Sequence, residues 1–233
     1  VHDGPVLRTS ESTLNNRPVV DFKDENDRMW TSYNFRDGAE VGKWRAEGYT
    51  AIGISRYSGN VNSGQSERVI SSNGGNWLFG HHGRITNRFH FDGWIDDGDN
   101  VRDTNWRLYI VVHEGKDDAS DPAGTVYDTG ALRDDNQNEK GSNNDWFMPQ
   151  RLEFGANNNN GENSVCQIAE YMMYYGQLTD GDRQLLEGYL TAKYGLTLPD
   201  GHPYKGAGNP LDSSVEIGGE NATVKLYWGD DNG

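Results

Sequence analysis

The chain has 233 residues, with 21 basic and 36 acidic side chains, so its formal net charge at neutral pH is −15. This balance argues against a nucleic-acid-binding protein, which replaces phosphate counterions with clustered Lys and Arg. No apolar run approaches the roughly 18 residues of a membrane span. The one cysteine, Cys166, excludes an internal disulfide and a cysteine-based zinc site. The length fits one large all-β domain or two small ones.

Strand patterns dominate the chain. Tyr49–Tyr57 alternates small or polar residues with apolar ones, which is the two-residue period of a half-buried β-strand. The other predicted strands are 18–22, 68–71, 76–79, 88–91, 106–113 and 166–175. Clusters of turn-forming residues separate them at short intervals, a rhythm that is typical of an all-β sandwich or jelly roll.

One α-helix is predicted near the C-terminal end of the chain. Thr179 is placed to cap its first turn, with Asp182 three residues later. Gly195 favours the left-handed conformation that ends a helix, and Pro199 blocks its continuation. The apolar face has 3.6-residue spacing and consists of Leu185, Leu186, Tyr189, Leu190 and Tyr194. We expect this face to pack across one end or one edge of the sandwich.

The C-terminal part of the chain has the composition of a linker and a further module. Gly and Pro concentrate between Pro199 and Gly219, as they do between domains. Residues 222–228 have a strand pattern and are followed by turn residues, which normally lead into a partner strand. We therefore expect a domain at 1–205, a linker at 206–219 and the truncated start of a β-rich module at 220–233, cut from a longer protein.

An ordered series of motifs carries a family resemblance. The motifs are 17–22, 67–72, 76–80, 88–94, 104–109, 164–175, 187–196 and 202–205. In this order they resemble LamG-like domains of the concanavalin A-like lectin/glucanase superfamily, of the type found in large exported proteins of planctomycetes and related bacteria. The resemblance implies a jelly-roll β-sandwich of two antiparallel sheets with one C-terminal α-helix, secreted or at the cell surface. The expected first strand is either missing or replaced by residues 6–8.

The sequence lacks the catalytic pattern of that superfamily. Its glucanases place carboxylates on one strand face in a Glu-x-Asp-x-(x)-Glu motif, and this chain contains no such motif. Glu170 has only Tyr and Met as near partners, and we expect it to accept a structural hydrogen bond. No Gly-x-Ser-x-Gly motif is present, and Cys166 is expected to be buried. We therefore predict that the domain is not an enzyme, with a glycan hydrolase or lyase as a disfavoured alternative.

An acidic segment is the candidate metal site. Asp92, Asp96, Asp97 and Asp99 lie close together in the sequence. Ca²⁺ takes about six to eight oxygen ligands, often from flexible loops. LamG-like relatives often carry one calcium near the rim of the sandwich, so the resemblance also implies this ion. We predict structural Ca²⁺ at these residues; the alternative is a solvated acidic loop in a chain that is acidic throughout.

Three histidines form a weaker candidate for a metal site. His81, His82 and His90 lie close in the sequence, and imidazoles bind transition metals. However, adjacent residues of a strand point to opposite faces, so His81 and His82 cannot easily share an ion. We expect a packing role for them.

Tryptophans and asparagines are the candidate ligand-binding residues. A sugar site needs an aromatic plate together with polar groups for the hydroxyls. Trp77 and Trp106 lie in apolar strand patterns and are expected in the core, whereas other tryptophans fall in expected loops. The candidate ligand-binding residues are Trp146, Trp44, Asn157 and Asn158. A hydrophobic plug beneath a long loop is the alternative role for Trp146.

These features predict a non-catalytic recognition or adhesion domain that binds glycans outside the cell. Its expected partners are an extracellular glycan or cell-surface protein and neighbouring domains of the same chain, without nucleic acid or membrane insertion. The alternative is a structural spacer or assembly domain of a surface layer or giant adhesin. Exposed aromatic side chains on one sheet face favour glycan binding, whereas a large apolar patch favours assembly.

Overall fold

The structure is a computed structural model. It describes residues 4–24, 26–91, 93–96, 100–115, 124–134, 147–157, 162–210, 216–219 and 222–225. Within these ranges, side chains are described except at 38–41, 96, 134, 216–219 and 222–225.

Strands make up most of the described regular structure. In chain order they are β1 Val6–Glu11, β2 Arg17–Phe22, β3 Met29–Trp30, β4 Tyr49–Tyr57, β5 Ile70–Ser72, β6 Trp77–Phe79, β7 His81–His82, β8 Ile85–Thr86, β9 Arg88–Phe91, β10 Trp94–Asp96, β11 Arg107–His113, β12 Thr125–Asp128, β13 Ala131–Asp134, β14 Leu152–Phe154, β15 Cys166–Tyr175, β16 Glu216–Gly219 and β17 Ala222–Lys225. The helices are α1 Gly38–Glu47 and α2 Asp180–Tyr194, with a 3₁₀ turn at Ser12–Leu14.

Two antiparallel sheets form a jelly-roll β-sandwich. The larger has seven strands in the spatial order β1-β2-β15-β4-β11-β12-β13, and the smaller has six in the order β10-β9-β6-β5-β14-β3. Strands β7 and β8 form a separate pair, as do β16 and β17. All strand pairs in the described part of the two sheets are antiparallel. The predicted all-β sandwich with a C-terminal helix is confirmed.

Strand β4 is buried on both faces. Tyr49, Ala51 and Tyr57 pack into the core between the sheets, whereas Ile52 and Ile54 pack into a second apolar cluster with α2. Because side chains alternate along a strand, the second cluster lies on the outer face of the seven-stranded sheet. Helix α2 therefore covers that face, and the expectation that it packs across an end or an edge is wrong. The apolar stripe of the central strands extends across the face of the sheet, so the helix must cover that face.

Aromatic rings fill the space between the sheets. Phe79 makes edge contacts with Phe89, Tyr109 and Tyr171, at centroid distances of 5.5, 6.0 and 5.6 Å. Gly53 on β4 permits this packing, since a Cβ there would lie 2.7 Å from a ring carbon of Phe79. The two sheets approach closely here because one of them contributes no side chain.

The predicted ends of α2 are confirmed. The Asp182 amide donates to Oγ1 of Thr179 at 3.2 Å, and Gly195 ends the helix with φ at 69°. Glu170 accepts structural hydrogen bonds, as expected: its carboxylate receives them from the helix residues Tyr194, at 2.6 Å, and Lys193, at 2.9 Å. Glu170 therefore fixes the last turn of α2 to strand β15.

Helix α1 occupies a segment that the sequence pattern assigns to a loop. Trp44 lies on this helix and is only 2% exposed. Its ring packs against Phe35, Tyr49 and Tyr175, at centroid distances of 5.4, 5.7 and 4.1 Å. The expectation that Trp44 is exposed and binds ligand is therefore wrong, because its indole closes one end of the core.

Two further features concern the organisation of the chain. Strands β16 and β17 form a hairpin that begins within the predicted linker and continues into the predicted following module. The proposed domain boundaries stay a prediction. Neither α1 nor α2 is long and apolar enough to cross a lipid bilayer.

Candidate functional site

One row of side chains crosses all strands of the six-stranded sheet on its outer face. Trp77, Phe79, Phe89 and Phe91 belong to the core, so alternation along β6 and β9 turns the residues between them outward. Cross-strand partners share a face. The pairing registers therefore define an outer row of Trp94, His90, Leu78, Ser71, Glu153 and Trp30.

The β10 end of the outer row carries a tryptophan between two imidazoles. Trp94 is half-buried, and its ring centroid lies 5.1 Å from that of His82 and 5.0 Å from that of His90. We call this tryptophan and the polar side chains around it the Trp94 site. Its members are Arg68, Asn76, His82, His90, Trp94, Asn157 and Glu162.

A chain of hydrogen bonds orients His90. The Arg68 guanidinium donates to Oδ1 of Asn76 at 2.7 Å, and Nδ2 of Asn76 lies 3.1 Å from Nε2 of His90. An amide nitrogen only donates, so Nε2 of His90 is the acceptor and the neutral ring carries its proton on Nδ1. Burial lowers the pKa of His90 from its ordinary value of 6.5 to about 4. The ring is therefore uncharged at neutral pH.

Glu162 is the ionised carboxylate of the Trp94 site. Its oxygens lie 3.1 Å from Nε2 of His82 and 2.6 Å from Nε of Arg68, and one also accepts from the Asn157 amide. The hydrogen bond from His82 and the charge of Arg68 hold the pKa of Glu162 below its usual range, against the opposing effect of burial. A negative charge is therefore linked through His82 to a partly exposed indole.

The residues of the Trp94 site come from distant parts of the chain. Strands β7, β9 and β10 supply the rings, Arg68 precedes β5, and Asn157 and Glu162 follow β14. Together they bring an aromatic plate, a carboxylate, two amides and a buried guanidinium into one cluster. Binding pockets commonly combine an aromatic wall with a few converging polar groups in this way.

The predicted site residues have different outcomes. Asn157 lies in the Trp94 site, whereas Trp44 lies in the core. Asp96 ends β10, and its side chain lies outside the described residues. Trp146, Asn158, Asp92, Asp97 and Asp99 also lie outside the described residues. Among the described side chains, no group of three or more His, Cys, Asp or Glu is placed to hold a metal ion.

The adjacent histidines point in opposite directions, as expected. The ring of His82 contacts Trp94 on the outer face, whereas the ring of His81 lies in the core, 4.9 Å from Tyr57 and 5.3 Å from Tyr109. Burial, together with the charge of Arg107, lowers the pKa of His81 from 6.5 to about 3. The two rings cannot bind one ion.

Four members of the Trp94 site were not predicted from the sequence: Arg68, Asn76, Trp94 and Glu162. One local signal was present, since His90 alternates with Phe89 and Phe91 and must therefore face away from the core. The remaining contacts depend on which strands are neighbours, and local patterns do not give that information.

No protein-family model and no curated protein matches the chain. Among solved structures, it is similar to Trypanosoma rangeli sialidase in complex with the inhibitor DANA, with a TM-score of 0.43, 9% identity, and coverage of 76% of this chain and 28% of that one. It is also similar to the binding domain of botulinum neurotoxin DC in complex with SialylT, with a TM-score of 0.42, 14% identity, and coverage of 74% and 39%.

A third similar structure is of botulinum neurotoxin type C, whose cell entry depends on interaction with two ganglioside molecules. Its TM-score is 0.40 at 14% identity, over 74% of this chain and 39% of that one. The chain thus spans less than half the length of each of these structures. The LamG-like resemblance stays a prediction.

The comparisons correct the statement that the domain is not an enzyme. Sialidases, which are enzymes, are among the similar structures, so that exclusion is wrong. A likeness at 9% identity and a TM-score of 0.43 assigns no reaction to this chain. Catalysis is therefore a property to be measured.

Proposed function

We propose that the chain binds glycans at the Trp94 site, as a LamG-like recognition or adhesion domain of a secreted or cell-surface bacterial protein. The observation that carries the proposal is the half-buried Trp94 ring packed on His82, whose imidazole in turn contacts the ionised carboxylate of Glu162. The proposed partners are an extracellular glycan or a glycosylated cell-surface protein, with further domains of the same longer chain as neighbours.

The residue chemistry supports a sugar as ligand. An indole face is a large, rigid, apolar surface on which the C–H face of a sugar ring can stack. The Glu162 carboxylate accepts hydrogen bonds from hydroxyl groups, and bonds to a charged acceptor are roughly twice as strong as neutral ones. Arg68 and His82 hold Glu162 in place before the ligand arrives, which lowers the entropy lost on binding.

A glycan array, followed by titration calorimetry with the best ligand, tests the proposal. Because Trp94 supplies the stacking surface, we expect Trp94→Ala to weaken binding about tenfold or more, a change of about 1.4 kcal/mol. Glu162→Gln keeps the shape but removes the charge, and it should also weaken binding. Leu132→Ala and Asp200→Asn change exposed residues far from the site and are the matched controls.

Each other outcome has a definite meaning. Unchanged binding by Trp94→Ala would place the glycan elsewhere on the molecule. A blank array would overturn glycan binding and favour the alternative, a spacer or assembly domain of a surface layer or giant adhesin. Mass spectrometry of the bound glycans detects cleavage, and products that disappear with Glu162→Gln would assign catalysis to this site.

We further propose that structural Ca²⁺ binds the acidic segment that contains Asp92, Asp96, Asp97 and Asp99. Strands β9 and β10 fix the backbone on both sides of Asp92, and Asp96 ends β10 two residues after Trp94. Carboxylate oxygens are ligands that calcium prefers. The ion would brace strand β10, which carries Trp94.

Thermal unfolding tests the calcium proposal. A ligand that binds only the folded state stabilises it, so calcium at about 100 times its Kd should raise the melting temperature by roughly 5–10 °C relative to EDTA. The double variant Asp97→Asn/Asp99→Asn should lose this shift, whereas Asp200→Asn should keep it. Equal melting temperatures in calcium and in EDTA would contradict the proposal.

A further inference from the structure

The β3 end of the outer row contains a buried carboxylate. Glu153 is 1% exposed, and among the described residues neither of its side-chain oxygens has a hydrogen-bond partner. Its neighbour in the row, Ser71, donates its hydroxyl to the Ala156 carbonyl at 2.6 Å and is therefore engaged. Burial raises the pKa of Glu153, against the lowering effect of Arg28. An unsatisfied buried acceptor of this kind is destabilising, and it needs a donor.

The other neighbour of Glu153 in the row is an exposed tryptophan. Trp30 is the cross-strand partner of Glu153 and is 56% exposed. Directly paired residues of an antiparallel sheet have Cβ atoms about 4.5–5.5 Å apart on the same face. The indole therefore stands beside the carboxylate, and a ligand that stacks on the ring lies next to the buried acceptor.

A cation already lies over this indole. The guanidinium carbon of Arg28 lies 5.7 Å from the centroid of the Trp30 ring, within the range of a cation–π contact. The same charge acts on Glu153. The chain also carries a net charge of −15, which attracts positively charged ligands at long range. The local geometry and the overall charge thus both favour a positively charged ligand.

We propose that Trp30 and Glu153 form a second subsite, which binds the protonated amine of an amino sugar. The ammonium group lies against the indole face and donates hydrogen bonds to the Glu153 oxygens, while the Arg28 side chain moves away from the ring. The inference rests on the proposed function because the amine is carried by a glycan. Five strand spacings of about 4.8 Å separate this subsite from Trp94, roughly 24 Å, so the two sites can be tested separately.

The test uses two ligands that differ only in the amine. A chito-oligosaccharide with free amines and its fully N-acetylated counterpart of equal length are titrated at several pH values from mildly acidic to neutral, because the amine loses its proton as the pH rises and the carboxyl of Glu153, whose pKa is raised, gains one as the pH falls. We expect the free-amine ligand to bind about tenfold more tightly, and the preference to shrink as salt rises because charge attraction is screened. Glu153→Gln and Trp30→Ala should each abolish the preference.

Two further variants test the role of Arg28 and provide a control. Arg28→Ala removes the internal competitor and should strengthen binding of the free-amine ligand, roughly twofold to fivefold by the modest strength of exposed cation–π contacts. Leu132→Ala has the same 56% exposure as Trp30 but lies on the edge strand of the other sheet, and it should change nothing. Trp30→Ala is a surface change, so it carries the test if Glu153→Gln fails to fold.

The possible failures are distinguishable. Equal affinity for the two oligosaccharides, unchanged by Glu153→Gln, would overturn the amine subsite and leave glycan binding at Trp94 intact. If neither oligosaccharide binds, tetramethylammonium and propylamine are titrated alone. Binding of protonated propylamine that is lost in Glu153→Gln would support the subsite and overturn the glycan as its carrier; no binding of propylamine, or binding that Glu153→Gln leaves unchanged, would overturn the subsite.

Discussion

At the scale of single residues, two buried histidines make the fold sensitive to acid. Burial lowers the pKa of His81 to about 3 and that of His90 to about 4, both from 6.5. At pH values between 6.5 and these lowered pKa values, the unfolded chain binds protons on both histidines that the folded chain does not bind. The contribution of the two neutral histidines to the free energy of unfolding is therefore fully present above pH 6.5. It is lost as the pH falls toward their folded-state pKa values. Glu153 acts in the opposite sense, because its raised pKa favours the folded state at low pH.

His81→Phe tests this account of acid sensitivity. Phenylalanine fills a similar space between Tyr57 and Tyr109 and leaves no unpaired ring nitrogen, so the unfolding free energy at neutral pH should stay the same or rise. Below about pH 6.5 the loss of stability should be shallower by about 1.4 kcal/mol per pH unit, the contribution of one proton. Urea unfolding at a series of pH values measures this slope. Parallel curves for the variant and the parent protein would contradict the assignment.

At the scale of elements, those with strong local signals were predictable from the sequence. Strands β4, β9 and β15 coincide with the predicted strands because their alternation is long or strongly apolar. Helix α2 was predictable because its cap, its apolar stripe and its terminal glycine are all encoded within the segment itself.

Elements held by tertiary contacts were not predictable. Helix α1 has two glycines and no regular apolar stripe, and Trp44 holds it through contacts with Tyr49 on the following strand and with Tyr175, which is far along the chain. Strands β3, β7 and β8 have two residues each, too few for any period. The Trp94 site follows the same rule. Asn157 was predicted because it lies in a run of polar residues, whereas the contact of Arg68 with Glu162 depends on the fold.

At the scale of the whole molecule, internal ion pairing opposes the repulsion among like charges. Arg107 bonds to both Asp103 and Asp128, and Arg183 bonds to the buried Glu187. Such pairs are shielded from solvent and are screened little by salt. The excess of acidic residues gives a net charge of −15, and exposed like charges destabilise the compact state.

Salt should therefore stabilise the protein. Raising NaCl from about 10 mM to about 200 mM shortens the screening length from roughly 30 Å to less than 10 Å, which weakens repulsion between exposed acids more than attraction within the buried pairs. We expect the melting temperature to rise by roughly 2–5 °C at neutral pH in EDTA, which removes any contribution from calcium. KCl should act equally, because the effect depends on ionic strength and not on a specific ion. A fall in melting temperature would contradict this balance, since it would mean that the ion pairs around Arg107 and Arg183 outweigh the surface repulsion.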